Sequence, residues 1–228
     1  MLNLYHCNTS YASQKTRLFL AEFEIPYEDI HIDLRKQEHI TSDYRDINPT
    51  GTVPTLRDGD TLIFNSTDIM VYLSERYQRD EIIAFCRRHE ALHDPYLRTL
   101  SYHHLFCSAD ERQNKDIDNI IAIASQHPNK ARGEFLIRAA RGEFTEMELS
   151  LAKQILLAEL DTMEALLKTN KHGLMFGNSY SMADANATAV LFRMEKIGLL
   201  NEISETTMLI DYYQNMKSRP SFKKAHMC

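Results

Sequence analysis

The order of strand-like and helix-like segments in the first third of the chain is the feature that most constrains its fold. Alternating apolar and polar residues predict short strands over 2–5 and 27–32. An apolar side over 15–24 predicts a helix between them, which Pro26 ends. Two strands joined through a crossover helix lie parallel in one sheet. The chain therefore begins with a β-α-β unit.

A hairpin and a third helix follow this unit. Strand-like runs over 53–56 and 61–64 flank the turn Asp58-Gly59, and Ser66 caps a helix that continues to Tyr77. A parallel pair followed by an antiparallel hairpin gives a mixed four-stranded sheet with helices packed on it. The first third of the chain therefore predicts a small α/β domain.

The remainder of the chain has helical patterns and no convincing strand. Apolar residues step by three and four over 148–168, and Ser181 and Asp184 have the capping-box spacing that begins a helix. The polar, charged stretch over 110–143 predicts an exposed helical pair or a partly mobile insertion. Three segments follow from these patterns: an α/β domain at 1–78, a linker at 79–88 and an all-helical domain at 89–228.

Composition excludes several functional classes. The chain has 228 residues, a formal net charge of −6 and no basic tract, which argues against nucleic-acid binding. No segment approaches the roughly 20 apolar residues of a membrane span, and the N-terminus lacks the basic residues of a secretory signal. The four cysteines have no C-x-x-C spacing, which predicts a reduced, cytoplasmic protein without a metal or dithiol site. They are Cys7, Cys86, Cys107 and Cys228.

The segment that joins the first strand to the first helix carries hydroxyl groups. Ser10 and Ser13 lie where exposed backbone amides and the helix dipole favour negative charge. A thiol docked there ionises more readily than a free cysteine, whose pKa is about 8.5. A serine hydroxyl can stabilise the thiolate by donating a hydrogen bond. Alternatively, either serine only caps the helix.

Two further segments could bind a peptide-like ligand. A cis Val53-Pro54 bond would turn the backbone N–H and C=O of Val53 outward, where they could pair with an extended peptide. Asn65 and Ser66 begin the third helix, where backbone amides and the serine hydroxyl could hold a carboxylate. The alternatives are an ordinary turn before an edge strand and an ordinary helix cap.

Together these segments resemble the glutathione transferase superfamily, and the resemblance spans nearly the whole chain. The segment from Ser10 to Leu18 resembles the serine-type motif of that family, and Val53-Pro54 resembles its cis-proline loop. Asn65-Ser66 falls where the family has Glu-Ser or Asp-Ser. Ser181-x-x-Asp184 and Arg219-Pro220-Ser221-Phe222 resemble its motifs in the helical domain. The resemblance is greatest to the zeta and theta classes, and nearest to the tetrachlorohydroquinone dehalogenase-like branch.

The resemblance implies a thioredoxin-like N-terminal domain that binds glutathione, followed by an all-helical C-terminal domain. Ser10 would donate a hydrogen bond to the glutathione sulfur, and His39 would reach the glycyl end. Val53 would pair with the cysteinyl backbone, and Asn65 and Ser66 would hold the γ-glutamyl group. The full implied glutathione-binding set is Ser13, His39, Thr52, Val53, Pro54, Asn65 and Ser66.

The second substrate would lie between the two domains. The candidate lining residues are Tyr11, Tyr102, His103 and Phe106, and ordinary core packing is the alternative for each.

Tyr5 could replace Ser10 as the hydroxyl at the sulfur, although packing within the sheet is favoured. Two departures from the family matter. Ala12 stands where the nearest branch has cysteine, and neutral Asn65 replaces the usual acid.

Three functions stay open at this point. The first is a glutathione transferase that conjugates the thiolate to a small hydrophobic electrophile or displaces a leaving group from it. The second is a weakly active or non-catalytic glutathione-binding protein with a regulatory role. The third is glutathione-dependent redox chemistry through Cys7, although a buried thiol is favoured there. The resemblance also implies a homodimer that uses the 65–77 helix against the helical domain of the partner.

Overall fold

A mixed four-stranded sheet lies in the first third of the chain. The computed structural model describes residues 1–74, 79–113, 116–202 and 207–227, without the side chains of His93 and Asp94. The spatial order is β2-β1-β3-β4; β2 lies parallel to β1, and β3 lies antiparallel to both β1 and β4. The strands are β1 (Leu2–His6), β2 (Tyr27–His31), β3 (Thr55–Asp58) and β4 (Thr61–Phe64). The predicted sheet is therefore confirmed.

The strand register gathers four connections at one end of the sheet. Tyr5 in β1 lies opposite Thr55 in β3, and Thr55 lies opposite Phe64 in β4. The last residues of β1 and β2, His6 and His31, are also paired. The segments that follow β1, β2 and β4, and the segment that precedes β3, therefore all leave the sheet at the same end.

Helices cover both faces of this sheet. The helices are α1 (Tyr11–Glu22), α2 (Ser42–Ile47) and α3 (Ser66–Leu73). Leu20 of α1 and Ile69 of α3 pack with Leu4 and Leu56 of the sheet, and Tyr44 of α2 packs against the other face with Tyr5 and Ile32.

Two features of the helices in this region differ from the sequence interpretation. α1 begins four residues earlier than predicted, and α2 was not predicted because its six residues are too short and polar to show a helical period. The predicted end of the third helix at Tyr77 lies outside the described residues.

The rest of the described chain is helical. The helices are α4 (Asp80–Ser101), α5 (Ala109–Gln113), α6 (Ile117–Ala124), α7 (Lys130–Arg141), α8 (Glu146–Thr169), α9 (Met182–Lys196), α10 (Met208–Ser218) and α11 (Pro220–Lys224). A π-helical turn, Tyr102–Phe106, follows α4. The charged 110–143 stretch is largely helical, as one of the two predictions for it stated. Its described part holds helices α5, α6 and α7, not a pair.

The segment predicted as a linker, 79–88, lies almost wholly within a helix. Helix α4 begins at Asp80, and Ile82, Phe85 and Cys86 are buried in the main apolar core. Phe85 and Cys86 follow Ile82 by three and four positions, which is the spacing of one helix face. The polar residues around Asp80 hid this pattern in the sequence. The boundaries at 78 and 89 remain predictions.

Hydrogen bonds at the start of α9 connect it to neighbouring parts of the helical region. Ser181 and Asp184 form the predicted capping box, with the Asp184 carboxylate accepting from the Ser181 N–H at 3.0 Å. The other carboxylate oxygen accepts from the Met175 N–H at 2.9 Å and from the Tyr212 hydroxyl at 3.1 Å. Asp184 is fully buried, and burial raises the pKa of its carboxyl. Of the helices in the described ranges, none has the length and apolar character needed to cross a membrane.

Candidate functional site

Ser10 lies at the N-terminus of α1, at the sheet end where the connections gather. Its backbone is extended (φ −78°, ψ 119°), and its Oγ accepts a hydrogen bond from the Ser13 N–H at 3.3 Å. The first turn of α1 contains no acidic residue. A hydroxyl oxygen can accept one hydrogen bond while its proton is donated elsewhere. The capping role and a donor role toward a ligand are therefore compatible.

We call the region beside Ser10, at the end of the sheet where the connections gather, the opening. Ser13 does not face the opening. Its side chain is 0 % exposed, and its Oγ accepts from the Cys7 N–H at 3.3 Å. The side chain turns back into the connection between β1 and α1, and the predicted contact of Ser13 with glutathione stays a prediction. Cys7 is also buried, with its Sγ 3.4 Å from the Thr9 Oγ1, as the sequence interpretation favoured.

Tyr5 lies inside the sheet domain. Its ring is buried and stands 6.1 Å from the ring of Tyr44, with the guanidinium of Arg57 5.8 Å from the Tyr5 ring centre. This placement confirms the predicted packing role of Tyr5.

The segment before β3 presents an unpaired backbone. The Val53-Pro54 bond is cis, and the N–H and C=O of Val53 have no hydrogen-bond partner among the described residues. The preceding carbonyl, of Thr52, accepts from the Tyr44 hydroxyl at 2.6 Å and from the Asn48 side-chain amide at 2.9 Å. Tyr44 and Asn48 therefore position this segment, and the sequence analysis did not identify either of them.

Thr52 is exposed beside this backbone. Its hydroxyl lies 2.8 Å from the Thr50 hydroxyl, which in turn donates to the Asn48 side-chain carbonyl at 2.7 Å. Pro54 is buried. Thr52 is thus available to a ligand, whereas Pro54 contributes through the shape of the loop.

Asn65 and Ser66 begin α3 at the same end of the sheet. The Asn65 side-chain oxygen accepts from the Thr67 N–H at 2.8 Å, and its backbone has φ 73°. A positive φ is uncommon outside glycine and often marks a ligand site. The Ser66 hydroxyl and N–H have no partner among the described residues. The start of α3 can therefore hold a carboxylate.

His39 lies in a 3₁₀ turn, Glu38–Ile40, on the outer side of the opening. Its ring centre is 6.1 Å from that of His127, in the turn between α6 and α7. Burial, helped by His127 and Arg132, lowers the pKa of His39 to about 4, so that the ring is neutral at pH 7. The contact with the helical region was not foreseen, because nothing in the sequence relates residue 39 to residue 127.

Aromatic side chains and Arg193 form the helical side of the opening, where Arg132 also donates to the Tyr102 hydroxyl at 3.5 Å. Tyr102 and Phe106 share a face of the π-helical turn, with ring centres 5.4 Å apart. The guanidinium of Arg193, from α9, lies 5.1 Å from the Phe106 ring centre and donates to the Thr9 carbonyl. Tyr11 follows Ser10 and is partly exposed. Short π-helical turns often occur at functional sites.

His103 is not part of this opening. It lines a separate cavity of about 370 Å³ between the π-helical turn, α8 and the end of α9, together with His104, Leu149 and Lys153. Adjacent residues of a helical turn point in different directions, whereas Tyr102 and Phe106 are four apart and share a face. His103 thus faces a different cavity from Tyr102 and Phe106, and its predicted role in the substrate pocket stays a prediction. Within the described ranges, no three His, Cys, Asp or Glu side chains are grouped to hold a metal ion.

Comparison with known proteins agrees with this geometry. Residues 9–76 match the family model of the glutathione S-transferase N-terminal domain. The chain is 28 % identical to the tetrachloro-p-hydroquinone reductive dehalogenase of Sphingobium chlorophenolicum, covering 99 % of this chain and 96 % of the relative. It is 27 % identical to glutathione S-transferase TCHQD of Arabidopsis thaliana, covering 98 % and 88 %.

A solved structure has the same fold over its whole length. The β-etherase LigF from Sphingobium sp. strain SYK-6 superposes with a TM-score of 0.83 at 20 % identity, covering 98 % of each chain. The family match covers the sheet domain, where Ser10, Val53 and Ser66 lie at one end, and the structural match extends through the helices. The chain therefore has the glutathione transferase fold, and its sheet domain matches the N-terminal domain of the glutathione S-transferases.

Proposed function

We propose that this protein binds glutathione at the shared end of the sheet and transfers its thiolate to an electrophilic carbon. In this arrangement the Ser10 hydroxyl donates to the sulfur, and Val53 pairs with the cysteinyl backbone. Asn65 and Ser66 hold the γ-glutamyl group, and His39 faces the glycyl end. The observation that carries the proposal is the strand register, which brings these segments to one sheet end.

Ionisation of the thiol is the first chemical step. The thiol proton leaves to solvent, and the thiolate is stabilised by the Ser10 hydroxyl and by the N-terminal amides of α1. A sulfur electron pair then forms a C–S bond with the electrophile. Where the carbon bears a halide or an aryl ether oxygen, that bond breaks and the leaving group departs with its electron pair. The relatives named a transferase and a dehalogenase support this class of reaction.

The test is glutathione conjugation by Ser10→Ala. Removing one donor to a reacting anion lowers the rate by about 10²-fold in comparable sites. We expect kcat/KM with 1-chloro-2,4-dinitrobenzene to fall by about that factor while glutathione still binds. Ser10→Thr keeps the hydroxyl and retains most of the activity.

A matched control separates chemistry from helix capping. Thr207 caps α10 by accepting from the Ile210 N–H at 3.2 Å, remote in sequence from every residue of the opening. Thr207→Ala and Ser10→Ala lose the same kind of hydrogen bond, of about 1 kcal/mol. Equal losses of activity in the two variants would refute the proposed role of Ser10.

A glutathione-binding protein without turnover is the second candidate. It is favoured by neutral Asn65, which cannot form an ion pair with the γ-glutamyl ammonium. Retention on glutathione-agarose without activity on a panel of aryl halides, ethers and epoxides would establish it. Redox chemistry receives no support from the buried position of Cys7, and Cys7→Ser is expected to retain activity.

The same proposal includes a homodimer in the cytoplasm. Its interface would use the segment over 65–77 against the helical region of the partner, and Tyr77 lies outside the described residues. Light scattering after size-exclusion chromatography tests the assembly, with a molar mass near twice the 26.5 kDa of one chain expected.

A further inference from the structure

Arg193 is a buried cation beside the proposed site that has no acidic partner. Its side chain is 5 % exposed, and within the described part of the chain no carboxylate lies at ion-pair distance. Its one hydrogen bond among those residues goes to the Thr9 carbonyl. Burial lowers its pKa to about 10, so the group is still charged at pH 7. A buried charge without a counterion is costly, which points to a ligand that supplies one.

Arg17 shows what a buried arginine with a structural role looks like in this protein. It donates to the carbonyls of Ala225, Cys7 and Asn8 and contacts a ring nitrogen of His6 at 2.9 Å. Four acceptors thus surround its guanidinium. Arg193 has a single acceptor for five N–H groups, although both side chains are similarly buried.

The surroundings of Arg193 define the chemistry of that ligand. Its guanidinium contacts the Phe106 ring, and the phenols of Tyr11 and Tyr102 are close enough to affect its pKa. Thr9, which it binds, immediately precedes Ser10. The charge therefore lies next to the proposed position of the sulfur, among aromatic rings of the helical side.

We propose that Arg193 binds the anionic oxygens of an aromatic second substrate, a carboxylate or phenolate, whose ring packs against Tyr102 and Phe106. The planar guanidinium matches two oxygens with two parallel hydrogen bonds, and aromatic rings favour a flat substrate. This assignment deepens the proposed function and rests on it for the position of the sulfur. It makes Arg193 the residue that selects acidic aromatic electrophiles over neutral ones.

The experiment compares two ligands that differ only in charge. Isothermal titration measures the binding of 3-nitrobenzoate and 3-nitrobenzamide to the full chain, with and without glutathione. We expect the wild-type protein to prefer the benzoate by about 10- to 100-fold, because a hydrogen bond to a charged group contributes about 1.5–3 kcal/mol. In Arg193→Met the two ligands should bind equally. In Arg193→Lys, part of the preference should remain.

Turnover gives an independent measure. With 4-chloro-3-nitrobenzoate, Arg193→Met should raise KM by the same factor, and any rise in KM for 4-chloro-3-nitrobenzamide should be smaller by about that factor. The matched control is Lys196→Met, which removes an exposed positive charge from the same helix. It should leave both ligands unaffected.

The outcomes separate this inference from the proposed function. An absent preference in the wild-type protein, or a preference that persists in Arg193→Met, would overturn it; if Arg193→Met does not fold, an unreduced preference in Arg193→Lys would do the same. Failure of the proposed function would instead be seen as a lack of glutathione binding. Benzoate binding to the glutathione-free protein would still report on Arg193.

Discussion

The starts of α1 and α9 use the same residue type and have opposite consequences. Ser181 caps α9 together with Asp184, which is buried and accepts from the Met175 and Ser181 N–H groups and the Tyr212 hydroxyl. Ser10 caps α1 without any acid in the first turn, at an opening beside the cation of Arg193. The α9 start carries its own anion, whereas the α1 start lacks one. In the proposed function, the α9 start therefore serves stability and the α1 start serves an anionic ligand.

The largest expected effect is the loss of stability in Asp184→Ala. It leaves the buried N–H of Met175 and the half-buried N–H of Ser181 without acceptors, which should lower the free energy of unfolding by about 3 kcal/mol. Ser10→Ala should lower it by only about 1 kcal/mol. Urea unfolding followed by circular dichroism measures both. If Ser10→Ala is the more destabilising change, the claim that the α9 start contributes more to stability than the α1 start is contradicted. Asp184→Asn, which keeps one acceptor, should be intermediate.

An acid introduced into the first turn of α1 should make it resemble α9. Ala12→Asp should stabilise the helix by about 0.5 kcal/mol through the dipole, and it should lower kcat/KM about fivefold because the carboxylate repels the thiolate. Unfolding and conjugation assays on the same preparation measure both effects. The neutral Ala12→Asn is the matched control. An unchanged kcat/KM in Ala12→Asp would show that the thiolate does not lie at this helix end.

A second acid tests the start of α3. Asn65→Asp keeps the oxygen that caps the Thr67 N–H and adds a partner for the γ-glutamyl ammonium. An exposed ion pair of about 0.2–1 kcal/mol predicts glutathione binding that is tighter by up to about fivefold, measured by calorimetry. The gain should disappear with a glutathione analogue that lacks the amine. An equal gain with that analogue would place the ammonium elsewhere.

Protonation at the outer side of the opening affects stability only at acidic pH. The pKa of His39 is about 4 in the folded chain and about 6.5 when unfolded, so below pH 6.5 the unfolded state binds a proton that the folded state does not. The free energy of unfolding should therefore fall as the pH drops from 6.5 to 4, and level off below. His39→Gln should lack this component in urea unfolding at a series of pH values. A constant difference between the two proteins would contradict the neutral state of His39.

The sequence was sufficient where local patterns determine the structure. Alternation and turn residues predicted the strands, with β4 correct at both ends (Thr61–Phe64), and the Ser181 and Asp184 spacing predicted the α9 cap. These features depend on residues a few positions apart. The family resemblance added the order of the binding segments, which the strand register then placed at one end of the sheet.

The sequence was insufficient where distant segments meet. Arg193 reads as an ordinary basic residue in the last turn of a helix, and only its contact with Thr9, 184 positions away, relates it to the opening. His127 and His39 are likewise in contact although they are far apart in the sequence. The direction of His103 depended on the π-helical turn, which has no sequence period that could be recognised.

The central claim is that the α1 start and the Ser10 hydroxyl stabilise a thiolate. The most direct test is titration of the thiol of bound glutathione by its ultraviolet thiolate absorbance. The account predicts a pKa at least one unit below the reference of about 8.5 in the wild-type protein, and a return toward that reference in Ser10→Ala. A bound thiol with an unshifted pKa, or a lowered pKa that is the same in both proteins, would contradict it.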